Sequence, residues 1–193
     1  QPFQAFRLNL EALRLKQTAK IDRLIAVDSI RTKLVPYAFQ LKTALRVINE
    51  MNANAILADE VGLGKTIEAG LIMKELLLRE EINSILIVAP KSLLSQWKSD
   101  MQEKFGETFL IANKPGERAN FKTGNRILCS HTLLPRKFEL ISKRTWDLVV
   151  VDEAHAFRNT HSKGRNCLAE LQKNHLLLLT ATPLCNRLTD LYS

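Results

Sequence analysis

The residues best suited to chemistry form a short loop that contains two glycines and ends in Lys65 and Thr66. The loop follows the apolar residues 56–58 and comprises Asp59, Glu60, Val61, Gly62, Leu63 and Gly64. Glycines let backbone N–H groups approach a phosphate closely, and the N-terminus of a following helix adds partial positive charge. Lys65 can neutralise the β- and γ-phosphates of a nucleotide, and the Thr66 hydroxyl can bind Mg²⁺. The pattern differs from G-x-x-x-x-G-K-[ST] at Asp59 and predicts a nucleotide loop, with an ordinary strand-to-helix turn as the alternative.

A second chemical group, the acidic pair Asp152 and Glu153, directly follows the apolar residues 148–151. Ligands in an open α/β sheet bind at the carboxyl ends of the strands. Asp152 can hold Mg²⁺ through the water shell of the ion, and Glu153 can orient and deprotonate an attacking water. Taken alone, the pair could be the start of a solvated loop. Together with the phosphate loop, it predicts a site for ATP hydrolysis that uses Mg²⁺.

These groups must be positioned by the elements around them, and apolar segments alternate with helical patterns from residue 34 onward. Helices are predicted at residues 41–48, 65–79, 92–105, 164–173 and 187–192, and strands at residues 55–58, 84–89, 109–113, 126–130, 147–152 and 176–180. Residues 114–126 read as a surface loop. This order predicts an α/β fold with a mostly parallel sheet and helices on both faces. Residues 1–33 are interpreted as an accessory helical segment that Pro36 ends, and residues 34–193 as the main domain.

Composition makes the chain basic, with 28 Lys and Arg residues against 20 Asp and Glu residues and a net charge of +8. A basic surface suits nucleic acid because phosphate contacts release counterions, although charge alone does not choose between DNA, RNA and acidic proteins. No apolar run approaches the ~18 residues that cross a bilayer, so no membrane is expected.

The cysteines and the N-terminus bear on where the chain works. Cys129, Cys167 and Cys185 fit no zinc or redox spacing, which favours three reduced thiols and a cytoplasmic location. No signal-peptide pattern is present at the start of the sequence. The first residue is Gln1 and not an initiator methionine. A fragment or a processed product is therefore expected.

Residues 59–66 (DEVGLGKT) and 152–155 (DEAH) together resemble the first motor domain of the Swi/Snf-type ATPases of helicase superfamily two. The resemblance covers residues 34–193 and is closest to the prokaryotic branch, which includes RNA-polymerase-associated and phage-defence members. It implies a RecA-like domain that binds ATP and Mg²⁺, works on double-stranded DNA and is associated with the nucleoid. It also implies a second RecA-like lobe that supplies an arginine for hydrolysis, and a protein partner such as RNA polymerase or a defence complex.

Further segments extend this resemblance to residues around the nucleotide. Gln40, in YAFQ at residues 37–40, resembles the adenine-recognition glutamine of the family, with a helix-surface glutamine as the alternative. His155 resembles a residue that couples the nucleotide site to the TATP segment, which contains Thr180 and Thr182. Trp97 belongs to the segment that resembles motif Ia and is interpreted as a core residue.

The resemblance also implies a nucleic-acid surface at the ends of two strands. Lys91 and Ser92 follow the motif Ia strand, and Ser130 and His131 follow the next. These four residues are expected to contact the nucleic-acid backbone. Helix capping is the alternative role for the two serines.

The leading functional hypothesis is an ATPase that translocates along double-stranded DNA and remodels protein–DNA complexes. A strand-separating helicase is the runner-up because DEAH also occurs there, although the DEVGLGKT loop and the Gln96-Trp97 pair favour the remodeller. A non-catalytic nucleotide-binding interaction module is a third possibility, against which the intact lysine, threonine and acidic pair argue. A metabolic kinase would have no reason to carry TATP. Without the second lobe, the chain is expected to bind ATP better than it hydrolyses it.

Overall fold

A computed structural model describes residues 20–58, 64–112, 121–159 and 162–181 of the chain. Within these residues, six strands form one sheet: β1 (Ala55–Leu57), β2 (Ile85–Ala89), β3 (Leu110–Ile111), β4 (Arg126–Ser130), β5 (Trp146–Val151) and β6 (Lys173–Leu179). Their order is β1-β6-β5-β2-β4-β3, and every pairing is parallel. The predicted α/β fold with a parallel sheet is therefore confirmed.

Two helices precede β1, and most of the others connect successive strands. The helices are α1 (Ile25–Ile30), α2 (Ala38–Met51), α3 (Lys65–Leu78), α4 (Leu94–Asp100), α5 (Leu133–Arg136), α6 (Phe138–Ile141) and α7 (Lys163–Glu170). A 3₁₀ turn at Lys91–Leu93 precedes α4, a π-helical turn at Met101–Phe105 continues it, and a second 3₁₀ turn covers Ala154–Phe157. The single helix predicted at residues 92–105 is thus three helical pieces in succession, which end where Gly106 adopts a left-handed φ of 70°.

The sheet is covered on both faces, as the alternation of elements predicted. In β5, Leu148 and Val150 belong to an apolar cluster with α1 to α4, whereas Val149 and Val151 belong to a cluster with α5 to α7. Successive side chains of a strand point to opposite faces, so a strand that is buried throughout requires a helical layer on each side. This arrangement leaves the carboxyl ends of the strands as the edge at which loops meet.

The N-terminal segment departs from its prediction. Residues 1–19 lie outside the described residues, and residues 20–24 are not helical. The backbone N–H and C=O of Ile21 both bond to the side-chain amide of Asn49 at 2.8 Å, and the backbone N–H of Ala26 donates to the carboxylate of Glu75 at 2.8 Å. The predicted helix is found only at Ile25–Ile30, so a continuous helix over residues 20–33 is wrong. The helix ends at Ile30, well before Pro36, and the division of the chain at residue 33 stays a prediction.

Smaller corrections concern the ends of elements. The helix predicted at residues 164–173 ends at Glu170, because Leu171 is extended and buried and Lys173 already pairs with Trp146 in the sheet. In the predicted surface loop at residues 114–126, Phe121 is buried and Arg126 begins β4, while residues 113–120 are outside the described ranges. The short helices α5 and α6 were not predicted. The helix predicted at residues 187–192 lies outside the described residues.

Two of the three cysteines can be described, and both are free thiols. Cys129 is buried in the sheet, and this burial raises the pKa of its thiol to about 12, so it stays protonated. Cys167 is partly exposed on α7, and Cys185 is not among the described residues. In the part of the chain that the structure describes, no helix has the length and apolar character needed to cross a membrane.

Candidate nucleotide-binding site

The phosphate loop leads into α3 through Gly64. This glycine has a left-handed φ of 88° and immediately precedes Lys65, the first residue of the helix. The backbone angle favours glycine here, and a Cβ atom at Gly64 would lie 2.4 Å from Nε2 of Gln40 and so would displace that side chain. Lys65 and Thr66 lie in the first turn of α3, and the N-terminus of a helix favours a bound anion.

Five of the predicted loop residues cannot be placed. Asp59, Glu60, Val61, Gly62 and Leu63 lie outside the described residues. Their contact with a nucleotide therefore stays a prediction. The described flanks, Leu57 at the end of β1 and Gly64 at the start of α3, have the strand–loop–helix order that a phosphate loop needs.

Gln40 links the start of α2 to this loop. Its side chain is 3% exposed, and its Oε1 accepts a hydrogen bond from the backbone N–H of Tyr37 at 2.9 Å. The amide nitrogen lies against Gly64. Burial excludes the alternative of a helix-surface glutamine, and the position is beside the phosphate loop. Recognition of adenine by Gln40 stays a prediction.

Asp152 is held firmly at the carboxyl end of β5. Its side chain is 9% exposed; Oδ2 accepts a hydrogen bond from the indole Nε1 of Trp97, and Oδ1 accepts one from the backbone N–H of Glu153, both at 2.8 Å. Its backbone carbonyl accepts a third from Nε2 of His131 at 2.8 Å. The two donors to its oxygens leave the carboxylate little freedom to rotate, and the bond from His131 holds the backbone of the same residue.

Glu153 adopts an unusual backbone conformation for a non-glycine residue, with a φ of 49°. Such a left-handed angle costs about 1–2 kcal/mol and is often found at functional sites. The carboxylate is about one-third exposed, and its Oε2 lies 3.1 Å from Nδ1 of His155. The side chain of Glu153 thus lines the cavity and also lies beside His155.

One cavity of about 310 Å³ brings these groups together at the carboxyl ends of the strands. Its lining residues are Gly64, Lys65, Thr66, Ile67, Leu93, Gln96, Trp97, Asp100, Lys104, Asp152, Glu153 and Ala181. The sequence predicted that Lys65, Thr66, Asp152 and Glu153 act at one site, and the structure places all four on this cavity.

Sequence reasoning missed one wall of the cavity. Asp100 and Lys104 line it and form an ion pair at 2.6 Å, and Trp97 reaches it as well as the core. A signal was present in the sequence, because residues 93, 97, 100 and 104 recur at spacings of three or four and so share one face of a helix. Without the fold, that face could not be assigned to the nucleotide cavity.

The donor atoms at the cavity fit a magnesium ion that arrives with a nucleotide. Thr66 offers a hydroxyl oxygen and Asp152 a carboxylate, and Mg²⁺ usually binds one or two protein oxygens together with phosphate and water. The described ranges hold no cluster of three or more His, Cys, Asp or Glu side chains suited to a metal ion. The two oxygen donors therefore match a nucleotide-borne ion better than a separate all-protein metal site.

The four residues predicted to contact nucleic acid differ in their availability. Lys91 and Ser92 are exposed on the 3₁₀ turn after β2. Ser130 is 8% exposed, and its hydroxyl oxygen accepts a hydrogen bond from the backbone N–H of Leu133 at 3.2 Å. This bond closes the turn that leads into α5, whose N-cap residue is Thr132, so Ser130 has a structural role although it is not the helix cap.

His131 faces inward rather than toward the surface of the sheet edge. Its Nε2 donates to the carbonyl of Asp152, and its ring packs edge-on against Phe157 with 4.8 Å between centroids. Burial lowers the pKa of this imidazole below its ordinary value, so the neutral form is favoured at neutral pH. A neutral, inward-facing ring is a weaker phosphate ligand than Lys91.

The predicted coupling residues are only partly described. His155 contacts Glu153, as given above, and half of its side chain is exposed. Thr180 is fully buried after β6, and its backbone N–H donates to the carbonyl of Leu57 at 3.0 Å. Thr182 lies outside the described residues. Coupling between these residues stays a prediction.

Comparison with known proteins decides the family. Residues 37–193 match the family model of the SNF2-related domain. The chain belongs to the SNF2-related family. Its resemblance to the Swi/Snf-type ATPases, predicted from DEVGLGKT and DEAH, is thereby confirmed.

Individual relatives agree with this assignment. The chain is 37% identical over 188 residues to the uncharacterized ATP-dependent helicase YqhH of Bacillus subtilis, covering 92% of this chain and 33% of that protein. It is 35% identical over 195 residues to the RNA polymerase-associated protein RapA of Haemophilus influenzae, covering 92% of this chain and 21% of RapA. The chain therefore spans a third or less of the length of these relatives.

A solved structure supports the RecA-like fold. The Sulfolobus solfataricus SWI2/SNF2 ATPase core, solved in complex with double-stranded DNA, superposes with a TM-score of 0.72 and 25% sequence identity. The match covers 83% of this chain and 35% of that one. The SNF2-related chain thus has the architecture of one part of a longer ATPase core.

Proposed function

We propose that this SNF2-related chain is the ATP-binding lobe of a DNA-dependent ATPase that translocates along double-stranded DNA and remodels protein–DNA complexes. The observation that carries the proposal is the convergence of Lys65, Thr66, Asp152 and Glu153 on one cavity in a chain of this family. The phosphates of a nucleoside triphosphate call for a helix N-terminus, a lysine and a magnesium site at once, and ATP is the triphosphate we propose because the relative YqhH is named an ATP-dependent helicase.

Binding rests on α3. The N–H groups of its first turn and the ammonium group of Lys65 would neutralise the phosphates, and glycine at position 64 lets the backbone approach them. The Thr66 hydroxyl and the Asp152 carboxylate would hold Mg²⁺, which when bound supplies positive charge to the β- and γ-phosphates.

Hydrolysis rests on Glu153. Its carboxylate would orient the attacking water and accept its proton, which is typically worth ~10²–10⁴ in rate. In the structure Oε2 of this carboxylate lies 3.1 Å from Nδ1 of His155, and the side chain also lines the cavity.

The missing part is, in our proposal, a second RecA-like lobe. An arginine supplied to the transferring phosphate is worth ~10³–10⁵ in related P-loop enzymes. Curated relatives are three or more times longer than the stretch they share with this chain, which leaves room for such a lobe. The 193 residues alone should therefore bind ATP without efficient turnover.

Double-stranded DNA is the proposed track. Lys91 and Ser92 are exposed at the carboxyl end of β2, the same edge of the sheet that holds the nucleotide cavity. The Sulfolobus relative was solved on double-stranded DNA, and the net charge of +8 suits a phosphate backbone. Ser130 and His131 would act behind this surface, where Ser130 closes the turn before α5 and His131 supports the backbone of Asp152.

Two relatives suggest further details. The RapA protein is named for its association with RNA polymerase, so RNA polymerase on the nucleoid is our first candidate partner. YqhH is named an ATP-dependent helicase, which keeps strand separation as the second candidate function.

The choice between translocase and helicase is tested by the activator. ATP hydrolysis by the full-length protein is measured with duplex DNA, single-stranded DNA and RNA, and strand displacement is measured in parallel. The proposal predicts stimulation by duplex DNA with little unwinding. Stimulation by single strands alone, with efficient unwinding, would favour the helicase instead.

A further inference from the structure

Trp97 makes a contact that its role as a core residue does not require. The indole side chain is 2% exposed, and its Nε1–H donates to Oδ2 of Asp152 at 2.8 Å, across 55 residues of sequence. Both residues also line the nucleotide cavity. A buried indole N–H needs some acceptor, but here the acceptor is the carboxylate of the acidic pair.

The contact constrains Asp152 more than packing alone would. An ionised carboxylate with little exposure is stable only when it is well hydrogen-bonded. Trp97 donates to Oδ2 and the backbone N–H of Glu153 donates to Oδ1, so each oxygen has one protein donor. A carboxylate oxygen can accept two hydrogen bonds, so each keeps a lone pair for water or a metal-bound water, in a fixed direction.

The second tryptophan of the chain shows the contrast. Trp146 is fully buried, and its Nε1–H donates to the backbone carbonyl of Ile141 at 3.1 Å. Trp146 begins β5, whereas Asp152 follows the end of the same strand. The two sites therefore lie at opposite ends of one strand, about 20 Å apart. Both indoles are buried and both donate a hydrogen bond. Of the two, Trp97 donates to a carboxylate, whereas Trp146 donates to a backbone carbonyl.

We infer that Trp97 is a positioning residue for magnesium, acting through Asp152. Its indole N–H fixes the carboxylate in the orientation from which Asp152 holds nucleotide-bound Mg²⁺. This inference rests on the proposed ATP-binding function of the same cavity. Partners that orient a metal-binding side chain typically contribute 10–100-fold to metal affinity, so loss of the N–H lowers Mg²⁺-dependent ATP affinity by about tenfold.

The test removes the N–H and keeps the shape. In the full-length protein, Trp97 is replaced by 3-benzothienylalanine, in which sulfur stands in place of the indole N–H, and ATP affinity is measured by calorimetry with Mg²⁺ and with EDTA. The expected result is that the affinity gained from Mg²⁺ falls about tenfold, while affinity in EDTA is unchanged. Trp97→Phe, measured the same way, shows the same loss of the magnesium effect. The replacement at Trp146 is the matched control and alters neither value.

The outcomes separate this inference from the proposed function. If the parent protein gains ATP affinity from Mg²⁺ and the Trp97 replacement retains that gain in full, the positioning role is overturned and the proposed function stands. If 3-benzothienylalanine and phenylalanine at position 97 each lower ATP affinity by the same factor in Mg²⁺ and in EDTA, the effect is one of packing and the inference is again overturned. If the parent protein gains no ATP affinity from Mg²⁺, both claims fall.

Discussion

The carboxylate of Glu153 lies 3.1 Å from Nδ1 of His155. The backbone of Glu153 is in the left-handed region, with a φ of 49°. The pair belongs to the DEAH segment, and it places the proposed general base beside the cavity but in contact with a histidine. The base is therefore positioned, and it is engaged by His155 in this structure.

Glu153→Gln is expected to keep ATP binding and to lose turnover in the full-length protein. The amide is similar in size but cannot accept the proton of the attacking water, and loss of a general base typically costs ~10²–10⁴ in rate. Steady-state hydrolysis and ATP binding are measured for each variant. Glu139→Gln, an exposed change on α6, is the control and should hydrolyse normally. Hydrolysis by Glu153→Gln at the parental rate would show that another group is the base.

Gly64→Ala is expected to abolish most ATP binding. An alanine there must adopt a φ of 88°, at a cost of about 1–2 kcal/mol, and its Cβ would meet the Gln40 amide at 2.4 Å. Gly106→Ala is a matched control, because Gly106 has a similar φ of 70° but the nearest atom to its Cβ is Nζ of a flexible lysine at 3.4 Å. Both variants should be less stable by denaturant unfolding. Normal ATP affinity in Gly64→Ala would contradict the placement of Gln40 against the loop.

The local chemistry of the site could be predicted from the sequence, because it depends on short spacings. Gly64, Lys65 and Thr66 are consecutive, and Asp152 and Glu153 follow an apolar strand. The phosphate loop and the acidic pair can therefore each be recognised from adjacent residues. The parallel sheet and its burial on both faces followed from the alternation of apolar segments with helical patterns, whereas the order of the strands was not predicted. Residue spacing alone was therefore enough to predict that both groups lie at one edge of a parallel sheet.

The contacts between distant segments could not be predicted. The bond from Trp97 to Asp152 depends on how α4 packs against the sheet, which no local pattern encodes. Asn49 pairs with the backbone of Ile21, which is not helical, and Glu75 accepts from the backbone N–H of Ala26 in the first turn of α1, so the helix that apolar spacing suggested begins only at Ile25. The inward orientation of His131 likewise depends on Asp152 and Phe157, which come much later in the chain.

Lys91→Ala is expected to weaken stimulation of the full-length ATPase by duplex DNA, equally for all sequences. An exposed lysine that contacts phosphate contributes affinity without base readout, and its loss should reduce the salt dependence of binding by about one charge. Hydrolysis is measured against DNA concentration at several salt concentrations. Lys143→Ala is the matched control, because Lys143 is also exposed but precedes β5 at the opposite edge of the sheet. Equal effects of the two variants would indicate a nonspecific loss of charge.

Asp147 should make stability depend on acid pH. Partial burial raises the pKa of its carboxyl, but hydrogen bonds from the backbone N–H groups of Ser84 and Asn83 and from the Ser84 hydroxyl outweigh it, so the folded-state pKa lies below the ordinary value. The stabilisation is present above the unfolded pKa of about 3.9 and is lost as pH falls through the folded value. Asp147→Asn should be less stable than the parent at pH 7, and the difference in free energy of unfolding should shrink below about pH 4. Urea unfolding at both pH values measures it, and a difference independent of pH would contradict the account.

The measurement that tests the central claim most directly is calorimetric titration of the parent protein, Lys65→Ala and Lys91→Ala with ATP in the presence of Mg²⁺. The account predicts saturable binding by the parent, unchanged affinity for Lys91→Ala, and a loss of at least about tenfold for Lys65→Ala, because only Lys65 lies at the phosphate end of α3. Equal affinity of the parent and Lys65→Ala for ATP would contradict the assignment of this cavity as the nucleotide site.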